Sequence, residues 1–249
     1  MILAVICEKG GVGKTTTAEA LADGLRLRGK KVLAVDLDPQ CNFTAAMNAD
    51  SEKPTLYDVM TGDAKAQDAI RRTERGEIIP GDRYLYTYME STTALREALE
   101  ILRGRYDYII LDCPPSMGEL SVSAIIAADA AIIPTQPELY CLQALGAIGS
   151  TISTANPDLW IAGILITRFA GRTVAHKELS GIVDAAAKEL GTAVFRTRVR
   201  ECSAIRTAQA NQQSIFRFAP KSNAAKDYSA LIDEFLSREK KQKRASAKK

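Results

Sequence analysis

The chain has 249 residues, 46% of them hydrophobic and 25% charged, with a formal net charge of +3. That length supports one sizeable α/β domain with a buried core, and no apolar run approaches the length of a membrane-spanning helix. Five cysteines (Cys7, Cys41, Cys113, Cys141 and Cys202) are odd in number, widely spaced and without a C-x-x-C pair, which argues against a disulfide framework or a thiolate metal cluster and for reduced, mostly buried thiols.

An apolar run from Ile2 to Ile6 predicts a first strand, and good helix formers from Thr16 to Arg28 predict a first helix. Between them stands Lys9 to Thr17, K-G-G-V-G-K-T-T-T. A strand, a glycine-rich turn and a helix start form a phosphate cradle, because successive backbone N–H groups and the positive end of the helix converge on one anion. Gly10, Gly11 and Gly13 let the backbone wrap the phosphates closely, with Val12 and Thr16 completing the loop. Lys14 supplies charge at the β- and γ-phosphates, and Thr15 offers its hydroxyl to Mg²⁺. A nucleotide is the expected ligand. The generic pattern G-x-x-x-x-G-K-[ST] fails at its first glycine, where Glu8 stands, and an extra cation, Lys9, opens the loop. Lys9 is poorly placed for its own phosphates. It is either a solvated surface lysine or a group that reaches the phosphates of a facing copy, as an arginine finger does.

Lys31 to Asp36 reads as a second strand, apolar and buried on both faces as in a parallel sheet, and it ends in D-L-D-P-Q. Open α/β sheets bind ligands at the carboxyl ends of their strands. An Asp-Pro pair alone is turn chemistry, but a Mg-nucleotide site needs oxygen ligands and a group that orients or deprotonates water. Asp36 is therefore assigned to the metal shell and Asp38 to the water. From Thr55 to Gly104 short amphipathic helices surround a strand-like piece, Glu77 to Pro80, with no visible chemistry. Tyr106 to Pro115, Y-D-Y-I-I-L-D-C-P-P, is another apolar strand ending in an acid, and Asp112 is expected to hold Mg²⁺ with Thr15. The single histidine, His176, lies in a polar helical stretch and takes no role.

Charge is distributed unevenly. From Val194 to Lys226 stand seven Arg/Lys against Glu201 alone, the footprint of a phosphate-backbone binder. Arg196, Arg217, Lys221 and Lys226 are the candidate DNA contacts, while Arg198 and Arg200 line either DNA or the nucleotide pocket, whose adenine side is expected from the loops after Ile166 and Thr197. Few aromatics interleave, which favours duplex phosphates over stacked single strands. Residues 238–249 carry seven Lys/Arg and one acid. They are expected to form a disordered tail after a domain spanning 1–237, serving nucleic acid, anionic lipid or solubility. The last helix, Asn223 to Ser237, places Tyr228, Leu231, Ile232, Phe235 and Leu236 at helical spacing, either as core packing or as an amphipathic membrane anchor.

K-G-G-V-G-K-T-T-T with its early lysine, V-D-L-D-P-Q and Y-D-Y-I-I-L-D-C-P-P resemble the deviant Walker ATPases of the ParA/MinD family, and specifically its Soj-like ParA branch, which partitions DNA. The segments Pro54 to Gly62, Ala127 to Thr135, Gly163 to Phe169 and Ala219 to Tyr228 are similar to that family too, so the resemblance covers nearly the whole chain. It implies a doubly wound α/β fold, with a mostly parallel sheet and helices on both faces, and ATP with Mg²⁺ as cofactors. It implies an ATP-dependent sandwich homodimer in which Lys9 reaches the partner's nucleotide, Lys14 and Thr15 bind phosphate and magnesium, Asp38 promotes hydrolysis and Asp112 is the Walker B acid. It further implies binding of nonspecific double-stranded DNA, with Arg217 and Lys221 as the best contacts, and stimulation by a ParB-type centromere-binding protein. The location implied is the cytoplasm, in association with the nucleoid and not with a membrane. The chain departs from many relatives at Cys7, Glu8 and Cys41. It shows no helix-turn-helix extension, so specific operator binding is not expected. A MinD-like membrane-associated ATPase is the alternative; the cysteine spacing argues against an electron-transfer enzyme on the same scaffold.

Overall fold

The computed structural model describes residues 1–136, 138, 141–169 and 174–247. The side chains of His176 and Cys141, on which the sequence reading touched, lie outside the described part.

Strand β1 (Ile2–Val5) leads through the glycine loop to α1 (Lys14–Arg26), and β2 (Val32–Asp36) leads through the acidic loop to α2 (Asn42–Ala46) and α3 (Leu56–Met60). A hairpin of β3 (Arg71–Thr73) and β4 (Gly76–Ile79) is followed by a 3₁₀ segment, Arg83–Thr87, and α4 (Ala94–Glu100). Then β5 (Tyr108–Asp112), α5 (Glu119–Ala127), β6 (Ala130–Thr135), α6 (Cys141–Ala155), β7 (Trp160–Ile166) and α7 (Val174–Glu189) alternate. The chain closes on α8 (Ser203–Ala210), α9 (Ile215–Phe218) and α10 (Asn223–Ser246).

The seven strands form one sheet in the order β3-β4-β2-β5-β1-β6-β7, parallel except for the β3–β4 pair. This is the doubly wound architecture that the family resemblance implies. The antiparallel edge strand β3 was not foreseen. It is three residues of R-R-T, too short to carry a pattern, and its charges protect an edge that a longer apolar strand would leave open to aggregation.

Alternation along β1 divides the interior in two. Ile2, Ala4 and Ile6 join the core covered by α4, α5 and α6, whereas Leu3 and Val5 join the core covered by α1 and α10. A strand buried on both faces needs such continuous hydrophobicity. A third, smaller cluster of Ala208, Ile215, Ala224 and Ala225 ties α8 and α9 to the start of α10.

Helix α10 settles one question and corrects another expectation. Tyr228, Leu231, Ile232 and Phe235 are buried against the sheet, so the apolar stripe is core. The expected disordered tail is instead helical to Ser246, its last two residues lying outside the described part. The charge count hid good helix formers and i,i+4 pairs, Glu234 with Arg238 and Glu239 with Lys243. Arg238 donates to the carbonyls of Ala162, Ala193 and Val194 and lies 4.1 Å over the Phe195 ring. Buried Glu239 accepts from the Tyr108 hydroxyl at 2.5 Å.

Candidate nucleotide site

The glycine loop leaves β1 in the middle of the sheet. Gly11 and Gly13 take φ of 75° and 86°, in the left-handed region that favours glycine, and Gly13 caps α1. The loop is held from behind by the ends of β6 and β7. The Gln136 amide donates to the Gly11 carbonyl at 2.9 Å, and the Thr167 hydroxyl donates to the Val12 carbonyl at 2.8 Å. No backbone N–H from Gly10 to Gly13 donates to another described residue. Free N–H groups at a helix N-terminus are what an oxyanion requires. Lys14, 7% exposed, closes the loop on itself, donating to the Lys9 carbonyl at 2.9 Å. The loop opens on a cavity of about 800 Å³ that Asp38, Gln40, Asn42 and Pro115 line on one side and Thr167, Arg168, Val199, Arg200 and α8 on the other.

Asp36 and Asp112 are register partners on neighbouring strands, and both are wholly buried. Asp36 Oδ2 accepts from the Thr44 N–H and hydroxyl, both at 2.7 Å, while Oδ1 accepts from the Asp38 N–H at 3.1 Å. Burial nonetheless pushes its pKa up to about 6. The Asp36 carboxylate also holds the acidic loop, with two of its three donors supplied by a residue eight positions on, a pairing that spacing did not reveal. Asp112 is the opposite case: neither oxygen has a hydrogen-bond partner among the described residues. Burial, then the charge of Asp36, lifts its pKa well above the usual carboxylate range, with Thr15 and Lys14 pulling the other way. A buried carboxylate with unpaired oxygens, beside a hydroxyl and a phosphate-binding lysine, is a donor set that fits Mg²⁺. Asp38 lines the cavity, its Oδ1 accepting from the Gln40 N–H at 2.9 Å.

With this geometry in place, likeness to known proteins becomes informative. A family model described as an AAA domain matches residues 1–160. The sporulation initiation inhibitor protein Soj of Bacillus subtilis is 34% identical over 94% of this chain and 97% of its own. The chromosome partitioning protein ParA of Caulobacter vibrioides is 33% identical over 96% of this chain and 95% of its own. Among solved structures, the septum site-determining protein MinD of Pyrococcus horikoshii, complexed with Mg-ADP, superposes with a TM-score of 0.80 at 29% identity, covering 94% of each chain. The chain belongs to the ParA/MinD family.

Lys9 extends to the loop's rim, its side chain 41% exposed, and its ammonium contacts the half-exposed Glu138 carboxylate. An ion pair this exposed contributes little. Cys41, one of the departures noted in the sequence, takes φ of 55°, a left-handed position. Burial and then Asp36 push its thiol up to about 12, leaving it protonated and unreactive.

The segments after Ile166 and after Thr197 line the cavity. Arg200 lines it and is held by Asp227 in a two-point contact at 2.9 and 2.6 Å, whereas Arg198 lies 4.7 Å over the Phe169 ring. The candidate DNA residues are exposed but do not form one cluster. Arg217, Lys221 and Lys226 gather at the α9–α10 turn, while Arg196 belongs to the segment after α7 that Glu234 holds, two turns further along α10. Sequence reasoning missed Gln136, Thr167, Thr44 and Gln209. The last donates to Thr16 at 3.2 Å and to Glu19 at 2.8 Å, joining α8 to the loop. Nothing in spacing marks such residues: Gln136, Thr167 and Gln209 act through contacts far along the chain, and Thr44 through one that follows no motif.

Proposed function

We propose that this protein is an ATPase of the DNA-partition type, working as a nucleotide-gated dimer on the nucleoid. The observation that carries the reading is a complete phosphate cradle with a second cation, Lys9, partly exposed at its mouth and paired there with Glu138. Likeness to Soj and ParA over nearly the whole chain supports it.

In this reading the free N–H groups of Gly10 to Gly13 and the Lys14 ammonium bind the phosphates of ATP. Asp112 and Thr15 would hold Mg²⁺, which when bound neutralises charge on the phosphates. Asp38 accepts a proton from, or orients, the attacking water at the cavity wall. Lys9 reaches the γ-phosphate of a facing copy, so the nucleotide favours the dimer only while that phosphate is intact. The ATP dimer binds nonspecific duplex DNA through Arg217, Lys221 and Lys226, with Arg196 on a separate part of the surface. A ParB-type centromere-binding protein stimulates hydrolysis and thereby releases it.

The test is binding to a random-sequence duplex with ATP, with ADP and without nucleotide, over a salt series. Binding in ATP alone, weakening steeply with salt, is the expected result. Equal binding in all three states would reduce the DNA contact to an ungated basic surface, and no binding would sink the partition reading.

A further inference from the structure

The segment between β4 and α4, which carries no motif, lies along the acidic loop from its base to its tip. At the base, the Gly81 N–H donates at 3.0 Å to the Thr44 hydroxyl, which donates in turn to Asp36. The approach is close: a Cβ built on Gly81 would stand 2.7 Å from the Asp36 carbonyl oxygen. At the tip, the Gln40 side-chain amide donates to the Tyr86 hydroxyl at 2.5 Å. Between these two points the segment is anchored. Asp82 accepts from the Tyr84 N–H at 2.7 Å and from the Thr55 hydroxyl, and Leu85 is 1% exposed.

We propose that Gly81–Thr87 is a splint for the hydrolytic loop and that Tyr86 is a positioning residue for Asp38. The chain of contact is short. Tyr86 holds the Gln40 side chain, the Gln40 N–H holds Asp38 Oδ1, and the Cys41 N–H bonds the Asp38 carbonyl at 2.8 Å. Gln40 is exposed, and Cys41 takes a left-handed conformation that the loop must maintain against its own preference. The Tyr86 ring is 66% exposed, so its burial in the core does not explain it. The hydroxyl is its one described anchor to the loop. The catalytic part of the proposal rests on the reading of Asp38 as the group that handles water.

Two substitutions test it, Tyr86→Phe, which removes only the hydroxyl, and Gln40→Ala. In the nucleotide-free protein, hydrogen exchange at the Gln40 and Cys41 amides should rise about 10-fold in Tyr86→Phe, with exchange in β2 and β5 unchanged. In steady-state ATP hydrolysis, each variant should lose about 3- to 10-fold in kcat at unchanged KM, and the double variant should be no slower than the slower single one. Unchanged exchange at both amides overturns the splint, whether or not the protein hydrolyses ATP. Faster exchange with unaltered kcat overturns the positioning role of Tyr86 while leaving the splint standing. Strictly additive losses in kcat would show that the two side chains act separately and would refute the link. If the wild type hydrolyses no ATP, the proposed function fails, and the exchange result still decides the splint.

Discussion

Replacing Asp112 with asparagine is expected to stabilise the nucleotide-free protein while disabling it. Asp112 is wholly buried, its two oxygens have no partner among the described residues, and Asp36 faces it across the β2–β5 register. An ionised carboxylate in that position costs several kcal/mol, while an amide leaves unpaired polar atoms costing about 1–3 kcal/mol. The net gain is about 1–3 kcal/mol, or roughly 2–10 °C in Tm for a chain of this size. The sign with pH follows from the direction of the shift. A carboxyl whose pKa is raised on folding binds its proton more tightly in the native state, so wild-type stability falls as pH climbs from the unfolded carboxylate range through the raised value. Asp36 adds a similar loss below about pH 6 in both proteins. Melting should therefore show the variant ahead of wild type near about pH 8, with the gap closing as pH falls back into the unfolded carboxylate range. Mg·ATP at about 100 times its Kd should raise the wild type by about 2.7 kcal/mol and the variant far less. A variant that melts at or below wild type near pH 8, with the same dependence on pH, would refute the view that Asp112 is an unpaired charge waiting for a cation.

Lys9→Ala should leave the affinity for ATP nearly intact but lower partner-stimulated hydrolysis by at least about 100-fold; full stimulated turnover would end the trans-lysine role. Arg238→Ala strips donors from three carbonyls and a cation from the Phe195 face. It should cost about 2–4 kcal/mol and lower Tm by about 5–15 °C, and a melt within a degree or two of wild type would mean that the end of α10 is not anchored as described. Cys41→Gly removes a side chain from a left-handed residue and should raise stability by up to about 1 kcal/mol, seen as a higher denaturant midpoint at unchanged slope.

Much of the site was legible because its chemistry is local. K-G-G-V-G-K-T-T-T fixes the loop, and the acids at the ends of β2 and β5 fall where a parallel sheet delivers them to that loop. The same locality explains the failures. Asp36 reads as a metal ligand in isolation, and only the folded chain shows Thr44 bonding one of its oxygens twice. Gln136 and Thr167 support the loop from 125 and 155 residues away, which no spacing can show. The basic run from Arg196 to Lys226 counts as one cluster along the chain, yet folding separates Arg196 from the α9–α10 turn and gives Arg200 to Asp227. The 238–249 segment was read for charge alone; its helix depends on Arg238 finding carbonyls of β7 and the segment after α7.

The bond from the Lys14 ammonium to the Lys9 carbonyl uses one of three protons on that ammonium. Two are left for phosphate oxygens, so the lysine can grip a ligand without letting go of the loop. The backbone at Lys9 is held by the same group that the proposed reading places on the phosphates, while its side chain stays at the rim. On that reading the floor of the cradle is also the footing from which the second cation is offered.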